Sequence, residues 1–284
     1  MAEILKNPSS LCFTTVVRGI AYLDYIPLFI FFALRAFPQS HICIHICGLL
    51  PTKVRKNIEL LLPQNDSWSV LENHKVSYPK NKNTLKSLRW VLFSEFLNSF
   101  DYLYVGDIDI LLSKGSNLLN DHILHSEFLG LPYSNIIRGS QKRLSGLHFV
   151  DTKAYYKLLK PIIFKYDKLL KSGNLSGIRN ETVLYLMLKE AKLLPPVWGG
   201  GFDVDYISRG PLKIAFRPHH GVHLRVVDMK HEAIRKSILN SNIYREVYIP
   251  DFQEAFQENP GLMNVVERSH PVVKLQILQI LRGV

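Results

Sequence analysis

The sequence is poor in cysteine. It contains three in 284 residues, and two of them, Cys43 and Cys47, fall in or beside one predicted strand. Such a pattern supports neither a disulfide framework nor a metal site made of cysteines. We therefore expect a reducing compartment and a cytoplasmic protein.

Long uncharged runs are also missing. The most apolar stretch, residues 26–34, is flanked by Asp24 and Arg35, whereas a helix that crosses a bilayer needs about twenty apolar residues. The N-terminus carries Glu3 and Lys6 and lacks the apolar run and cleavage pattern of a signal peptide. Residues 26–34 are therefore interpreted as a buried helix.

Acidic residues are fewer than basic ones. The chain has 24 aspartates and glutamates against 35 lysines and arginines, which gives a formal net charge of +11. This balance indicates an anionic partner, and nucleic acid, acidic lipid headgroups and sugar nucleotides would all satisfy it. Because the sequence has no nucleic-acid motif and no platform of aromatic and basic residues, we expect no nucleic-acid partner.

Residues 227–284 are predicted to form a helical C-terminal extension. The apolar residues of the tail, 272–281, recur at helical spacing. This tail either covers the core or lies as an amphipathic helix on a membrane, where positive charge favours binding. On the second interpretation the protein makes a peripheral contact with the inner face of the cytoplasmic membrane. The basic residues of the extension are Lys230, His231, Arg235 and Lys236.

Strand and helix patterns alternate along residues 1–226, which predicts an α/β fold with a mostly parallel central sheet flanked by helices. One domain with the small extension fits the chain length. The predicted strands are 11–17, 41–46, 68–71, 102–105, 127–132, 145–151 and 212–216. The predicted helices are 22–37, 53–62, 84–99, 155–171 and 180–191, with Thr84 as a cap and a break or restart at Pro161.

The segment FDYLYVGDIDILL, residues 100–112, carries the strongest chemical signal. Its first half is a fully buried strand by pattern. On an extended backbone Asp107 and Asp109 would share one face while Ile108 points into the core. Ligands of open α/β sheets bind at the carboxyl ends of the strands, and paired carboxylates suit Mg²⁺ or Mn²⁺ with a diphosphate. A second copy, Asp203 and Asp205, follows a glycine-rich stretch and ranks lower.

A second cluster of chemical side chains occupies residues 217–225. Three histidines and two arginines flank a glycine there, which packing alone does not explain, and neutral imidazole is a good ligand for ions such as Mn²⁺. We predict that one imidazole of this cluster ligates the metal together with Asp107 and Asp109. His220 and His223 are the candidates, with His220 favoured, and His219 stays an alternative.

Taken in order, these pieces resemble the metal-dependent glycosyltransferases of the GT-A fold. Within them the layout is similar to that of family 8 galactosyltransferases that extend bacterial lipooligosaccharide, over residues 10–226. The resemblance implies that Thr14, Thr15 and Tyr22 hold the nucleotide base. The aspartate that the family usually has at the end of its first strand is absent here. The resemblance also implies that Arg89, on the helix before the Asp-x-Asp motif, helps to bind the donor with Asp107.

The resemblance extends to three further motifs. The family's Asn-Ala-Gly strand, which touches the sugar, is similar to residues 144–146 and assigns Gly146 to the donor. Its Asp-Gln-Asp motif is similar to Arg179-Asn180-Glu181, with one acid replaced by a base. Its His-x-x-Gly-x-x-Lys motif is matched loosely by residues 219–225, where Arg225 would hold phosphate.

The function that this resemblance implies is transfer of a sugar from a nucleotide-sugar donor to a hydroxyl of a glycan or lipid-linked glycan acceptor, as in bacterial surface polysaccharide or lipopolysaccharide biosynthesis. Glu181 is the expected base if the enzyme inverts configuration, and Asn180 or Glu181 lies under the sugar if it retains it. Two alternatives stay open: a metal-dependent nucleotidyltransferase and a non-catalytic, membrane-attached glycan-binding protein.

Overall fold

The structure is a computed structural model that describes residues 10–62, 66–112, 117–137, 142–196, 221–224, 249–269 and 271–282. The strands are β1 Leu11–Val17, β2 His41–Ile46, β3 Trp68–Leu71, β4 Tyr102–Val105, β5 Ile110–Leu112, β6 Tyr133–Ser134, β7 His148–Asp151 and β8 Gly221–His223. The α-helices are α1 Ile20–Leu23, α2 Ile26–Ala36, α3 Thr52–Leu61, α4 Lys82–Ser87, α5 Glu95–Asn98, α6 Leu118–Leu129, α7 Thr152–Lys171, α8 Asn180–Glu190, α9 Ile249–Glu258, α10 Met263–Arg268 and α11 Pro271–Leu281. Single 3₁₀ turns span Leu88–Val91 and Pro260–Leu262.

A six-stranded sheet in the order β3-β2-β1-β4-β7-β6 forms the centre of the fold. β3, β2, β1 and β4 run parallel, and β7 and β6 are added antiparallel at one edge. β5 and β8 form a separate antiparallel pair. This architecture confirms the predicted α/β fold with a mostly parallel sheet flanked by helices.

Both faces of the sheet are buried at its centre, which explains why β1, β2 and β4 read as near-continuous apolar runs. One face packs against α2 and α3. The strands contribute Phe13, Ile42, Ile44 and Tyr104 to this buried layer. The opposite face packs against the 3₁₀ turn Leu88–Val91, α7 and α8. The carboxyl ends of β1, β2 and β4 therefore open at one edge, between two packed layers.

The C-terminal helices lie against α2. Ala255, Phe256, Val266 and Ile277 join the same buried cluster as the apolar residues of α2. Polar contacts fix both ends of α2, because Arg35 pairs with Glu254 at 3.0 Å and Arg268 pairs with Asp24. Part of the tail therefore covers the core, although Leu275 remains 59% exposed. The predicted boundary at residue 226 stays a prediction.

The prediction of a strand after β5 is wrong. Residues 127–132 are not a strand, because α6 continues to Leu129 and ends at Gly130 in the left-handed conformation (φ 63°). The helix begins at Leu118. A short apolar run near a helix end has the same pattern as a buried strand, and Gly130 marks the end of the helix.

The predicted helix 84–99 is also wrong in outline. It is divided into α4, the 3₁₀ turn and α5, with extended backbone at Leu92. The N-cap of α4 is Asn81, whose side chain accepts a hydrogen bond from the Thr84 amide at 2.8 Å. In α7, by contrast, Pro161 lies inside a continuous helix, which begins at Thr152 and is capped by Asp151.

No helix within the described ranges combines the length and apolar content that a membrane crossing requires. The predicted strand 212–216, the second Asp-x-Asp motif and the basic residues 230–236 lie outside the described residues.

Candidate functional site

The site begins where β1 and β4 end. The Gly106 amide donates to the Thr14 carbonyl at 3.2 Å and so continues the parallel ladder by one residue. The Thr15 hydroxyl donates to the Gly106 carbonyl at 2.8 Å. A Cβ at Gly106 would lie 3.0 Å from the Leu147 side chain, so only glycine lets the chain pass here without displacing its neighbours.

Arg89 is the central side chain of the site. It projects from the 3₁₀ turn, is 6% exposed, and donates from Nη1 to the Gly106 carbonyl at 3.2 Å and to the Asp107 carboxylate. Its guanidinium lies over the Trp90 ring, 4.5 Å from the centroid. Asp107 is 35% exposed, so the pair joins a buried cation to a carboxylate that faces the open edge of the sheet.

Asn180 and Glu181 approach Arg89 from the first turn of α8. In the amide orientation that satisfies both neighbours, the Asn180 oxygen accepts from Arg89 Nη2 at 2.8 Å and its nitrogen donates to Glu181 Oε2 at 2.8 Å. The Trp90 ring nitrogen donates to the Asn180 carbonyl at 2.8 Å. The dipole of α8 also favours the Glu181 carboxylate at this end. The start of the helix is thus held in a fixed position against Arg89.

Gly146 completes this group. A Cβ built on it would lie 3.3 Å from Arg89 Nη2, 3.5 Å from Asp107 Oδ2 and 4.0 Å from Glu181 Oε1. The absent side chain therefore leaves a small space bordered by one cation and two carboxylates. The structure brings together Arg89, Asp107, Gly146, Asn180 and Glu181, all named from the sequence, whereas their roles stay predictions.

Polar atoms without partners lie near the ends of β1 and β2. Among the described residues, Thr14 Oγ1, Arg18 Nη1, His45 Nδ1 and His74 Nε2 are buried and make no hydrogen bond. Buried polar groups normally have partners, so this edge has unused capacity to bind a polar ligand. Tyr22, predicted to contact the base, is half-buried in α1, with its ring centroid 6.5 Å from that of Tyr25.

The histidines of this edge are uncharged at neutral pH. Burial, which is the largest cause, and the neighbouring His74 and Lys75 together lower the pKa of His45 to about 3. Burial, followed by the charge of Lys75, lowers the pKa of His74 to about 4. The two rings therefore present neutral donors and acceptors and add no positive charge.

The expected extended geometry of the Asp-x-Asp motif is wrong at its second half. Residues 108 and 109 form a turn, because the chain leaves the main sheet after Gly106 and enters the separate β5–β8 pair. Ile108 is buried in the core, as predicted, and Asp109 is 5% exposed. Asp107 therefore precedes the turn, and Asp109 lies within it.

β8 brings the histidine-containing segment beside this turn. The Leu224 amide donates to the Asp109 carbonyl at 2.8 Å, and His223 is opposite Ile110 in the strand register. The described part of the second cluster, residues 221–224, therefore lies beside the backbone of the Asp-x-Asp motif. His220 and Arg225 lie outside the described residues, and so does the His223 side chain.

The donor chemistry of this corner suits a hard divalent ion. Asp107 and Asp109 supply carboxylate oxygens, the ligands that Mg²⁺ and Mn²⁺ prefer. Considering the described side chains alone, no group of three histidine, cysteine, aspartate or glutamate residues could hold a metal. The third predicted ligand is an imidazole of residues 219–223, of which residues 221–223 form β8 and pair with β5.

Sequence reasoning missed Asn135. This side chain is 5% exposed and clamps the backbone of Ser145, accepting from its amide at 3.0 Å and donating to its carbonyl at 3.3 Å. It also contacts His148 Nδ1 at 3.0 Å, and burial lowers the pKa of His148 to about 3. The clamp fixes the residue that precedes Gly146. No spacing or motif marks Asn135, because its partner is ten residues away across a loop.

Comparisons with known proteins give likenesses of fold only. No protein-family model matches the chain, and no curated protein matches it in sequence. Among solved structures, the chain is similar to the glycosyltransferase GlyE of Streptococcus pneumoniae TIGR4, with 12% identity and a TM-score of 0.42 over 66% of this chain and 44% of GlyE.

Two other solved structures are similar to the chain. One is the galactosyltransferase LgtC in complex with donor and acceptor sugar analogs, at 12% identity and a TM-score of 0.35, over 63% of this chain and 70% of LgtC. The other is the bifunctional WbbM, at 12% identity and a TM-score of 0.47, over 93% and 52%. The chain thus spans less than half of GlyE and about half of WbbM. Because each TM-score is below 0.5, the function proposed below rests on the site residues.

Proposed function

We propose that the protein is a glycosyltransferase that moves a sugar from a nucleotide-sugar donor to a hydroxyl of a glycan acceptor. The observation that carries this proposal is the arrangement around Gly146, where a cation and two carboxylates border one small space. A sugar bound there would have Arg89 beside the bond that breaks and Glu181 beside the carbon that is attacked.

Arg89 supports departure of the nucleoside diphosphate. Its charge is nearly enclosed by protein, and three acceptors hold the guanidinium in place: the Gly106 carbonyl, the Asp107 carboxylate and the Asn180 side-chain oxygen. Charges that are fixed before the reaction stabilise developing negative charge without reorganisation. Arg225 is the second cation that we propose for the diphosphate, as the sequence resemblance implies.

Glu181 is the candidate group for the acceptor side. Asn180 donates to its Oε2, which leaves Oε1 directed to the space at Gly146, 4.0 Å from the Cβ position. In an inverting reaction this oxygen takes the proton of the acceptor hydroxyl. In a retaining reaction Asn180 or Glu181 lies under the sugar and the leaving phosphate takes the proton.

A divalent ion, Mn²⁺ or Mg²⁺, would be held by Asp107 and Asp109 with an imidazole of His220 or His223. Bound there, it supplies Lewis-acid stabilisation of the leaving diphosphate. Within the protein, the contact with Arg89 keeps the Asp107 carboxylate at the open edge, and the Asp109 carbonyl accepts from the Leu224 amide, so the backbone of Asp109 lies beside β8. Thr14, Thr15 and Tyr22 are the proposed contacts of the nucleotide base.

The acceptor that we propose is a glycan or lipid-linked glycan of bacterial surface polysaccharide or lipopolysaccharide biosynthesis. A peripheral membrane contact through the C-terminal basic residues stays a prediction, because those residues lie outside the described part of the chain.

Turnover of sugar nucleotides tests the proposal. Release of UDP or GDP from UDP-sugars and GDP-sugars is measured with Mn²⁺ and with EDTA, and binding of Mn²⁺ is followed separately by electron paramagnetic resonance. We expect turnover only with the metal. Asp109→Asn, which keeps the side-chain shape, should lose both turnover and Mn²⁺ binding. Asp66→Asn, an exposed aspartate, is the matched control.

Each rival predicts a different result. Turnover of nucleoside triphosphates in place of sugar nucleotides would identify a nucleotidyltransferase. Retained glycan binding in Asp109→Asn, without turnover of any sugar nucleotide by the unmodified protein, would identify a glycan-binding protein. NMR of the product anomer then distinguishes inversion from retention.

A further inference from the structure

Helix α7 exposes a continuous stripe of lysines. Five lysines and Phe164 recur at intervals of three or four residues, which places them on one face over a length of about 27 Å. The opposite face, with Tyr155, Leu159, Ile163 and Leu170, is buried in the core. No arginine occurs in the helix. The residues of the stripe are Lys153, Lys157, Lys160, Phe164, Lys168 and Lys171, and all are exposed.

Little acidic charge neutralises this stripe. Lys153 lies 3.9 Å from Asp101, and that lysine is 74% exposed. The one acid of the helix, Asp167, is directed instead at Lys75 and at the Tyr78 hydroxyl. Across the described ranges, no carboxylate lies within ion-pair distance of the other four lysines. Lys165, outside the stripe, pairs with Glu190 at 2.8 Å.

A large apolar side chain is exposed within the stripe. Phe164 is 46% exposed at its middle, whereas Leu158, 52% exposed, lies about 120° further round the helix. The Lys160 ammonium lies 6.0 Å from the centroid of the Phe164 ring. α5, which contacts α7, adds Phe96 at 43% exposure together with one exposed acid, Glu95. Aromatic and aliphatic groups among flexible cations are typical of surfaces that lie in a membrane interface.

We propose that this face of α7 docks on the surface of an anionic lipid bilayer. Lysine stems reach phosphate headgroups while they cover apolar surface, and Phe164 can enter the boundary between headgroups and acyl chains. A site for planar, bidentate phosphate recognition would use arginine instead. The surface is separate from the Arg89 site, and it differs from the C-terminal contact predicted from the sequence.

Vesicle binding by the full chain tests this surface. Binding to phosphatidylcholine vesicles with and without phosphatidylglycerol is measured by co-sedimentation at 0.1 M NaCl. Each lysine near an anionic surface contributes about fivefold to partitioning, so Lys157→Gln with Lys168→Gln should weaken binding roughly 25-fold. Lys53→Gln with Lys56→Gln removes the same charge from exposed positions of α3 and should change binding less than about threefold. Circular dichroism and thermal unfolding check that both variants fold.

Apolar insertion is tested by a separate variant. Phe164→Ser leaves the charge intact, and we expect it to weaken the binding that remains at 0.5 M NaCl, where the charges are screened to about 4–5 Å.

Three results would overturn the proposal. Unchanged vesicle binding in the folded Lys157→Gln, Lys168→Gln variant would exclude the lysine stripe as the membrane-binding surface. Loss of vesicle binding in Lys230→Gln with Lys236→Gln, while the α7 variant binds normally, would assign the contact to the C-terminal region. Binding to a soluble anionic polysaccharide but not to vesicles would make α7 a polyanion site. None of these measurements requires catalytic turnover, so failure here is distinguishable from failure of the proposed function.

Discussion

Replacing Arg89 by lysine tests the centre of the site while keeping its positive charge. The guanidinium serves the Gly106 carbonyl, the Asp107 carboxylate and the Asn180 side-chain oxygen through two different nitrogens. A lysine ammonium is a single point on a flexible stem and does not reproduce this fork. Arg89→Lys therefore removes geometry rather than charge.

The expected magnitude follows from the contacts that are lost. A hydrogen bond involving a charged group contributes about 1.5–3 kcal/mol, so loss of one or two such contacts lowers the free energy of unfolding by roughly 2–4 kcal/mol. For a chain of this size that corresponds to a fall in Tm of roughly 4–12 °C. If Arg89 stabilises the leaving diphosphate, kcat falls about 10²–10³-fold, as for loss of one donor in a preorganised site.

Stopped assays of diphosphate release and differential scanning fluorimetry measure the two quantities on the same preparation. Arg55→Lys is the control, because Arg55 is 46% exposed and pairs with Glu72 at 3.5 Å, and such surface pairs contribute at most about 1 kcal/mol. A folded Arg89→Lys protein with the kcat of the unmodified enzyme would refute the role assigned to the guanidinium.

Three further changes give distinct expectations. Gly146→Ala should lower kcat at least about tenfold with little change in Tm, because its Cβ would fill the space 3.3 Å from Arg89 Nη2; normal kcat would show that the space is unused. Asp151→Ala should reduce stability by about 1 kcal/mol in urea titrations, since its carboxylate caps α7, whereas Asp151→Asn should retain most of it. Burial lowers the pKa of His148 to about 3 from an ordinary 6.5, so the unfolded state binds more protons between these values. Stability should therefore fall as pH drops from 6.5 towards 3, and a His148→Gln variant with an unchanged slope in Tm against pH would contradict this.

The central parallel strands β1, β2 and β4 were predictable because they are buried on both faces. They have the predicted boundaries, since near-continuous apolar runs of four to seven residues between polar loops have few other interpretations. β3 has its predicted boundaries too, although it is a partly exposed edge strand. Hydrophobic periodicity does not predict secondary structure where a helix and a strand would show the same local pattern. The end of α6 has the same pattern as a strand, and the division of the helix after Asn81 has no glycine or proline to announce it.

The candidate site was predictable to the extent that the family resemblance covers it. The resemblance implied that Arg89 acts with Asp107, and it assigned Gly146 and Glu181 through the motifs that they match. The turn at 108–109 was not predictable, because β5 leaves the main sheet only to pair with β8, more than a hundred residues later. Asn135 was missed for the same reason: its clamp on Ser145 exists only after the loop closes.

The position of α2 has a consequence for how the chain is synthesised. Its nine consecutive buried residues, Ile26 to Leu34, share their cluster with Phe256, Val266 and Ile277, which leave the ribosome more than two hundred residues later. Until then, part of the apolar surface of α2 remains exposed to solvent. We therefore expect chaperones to bind the chain during translation. Fragments that stop before residue 249 should aggregate when they are expressed, instead of folding into a smaller functional protein.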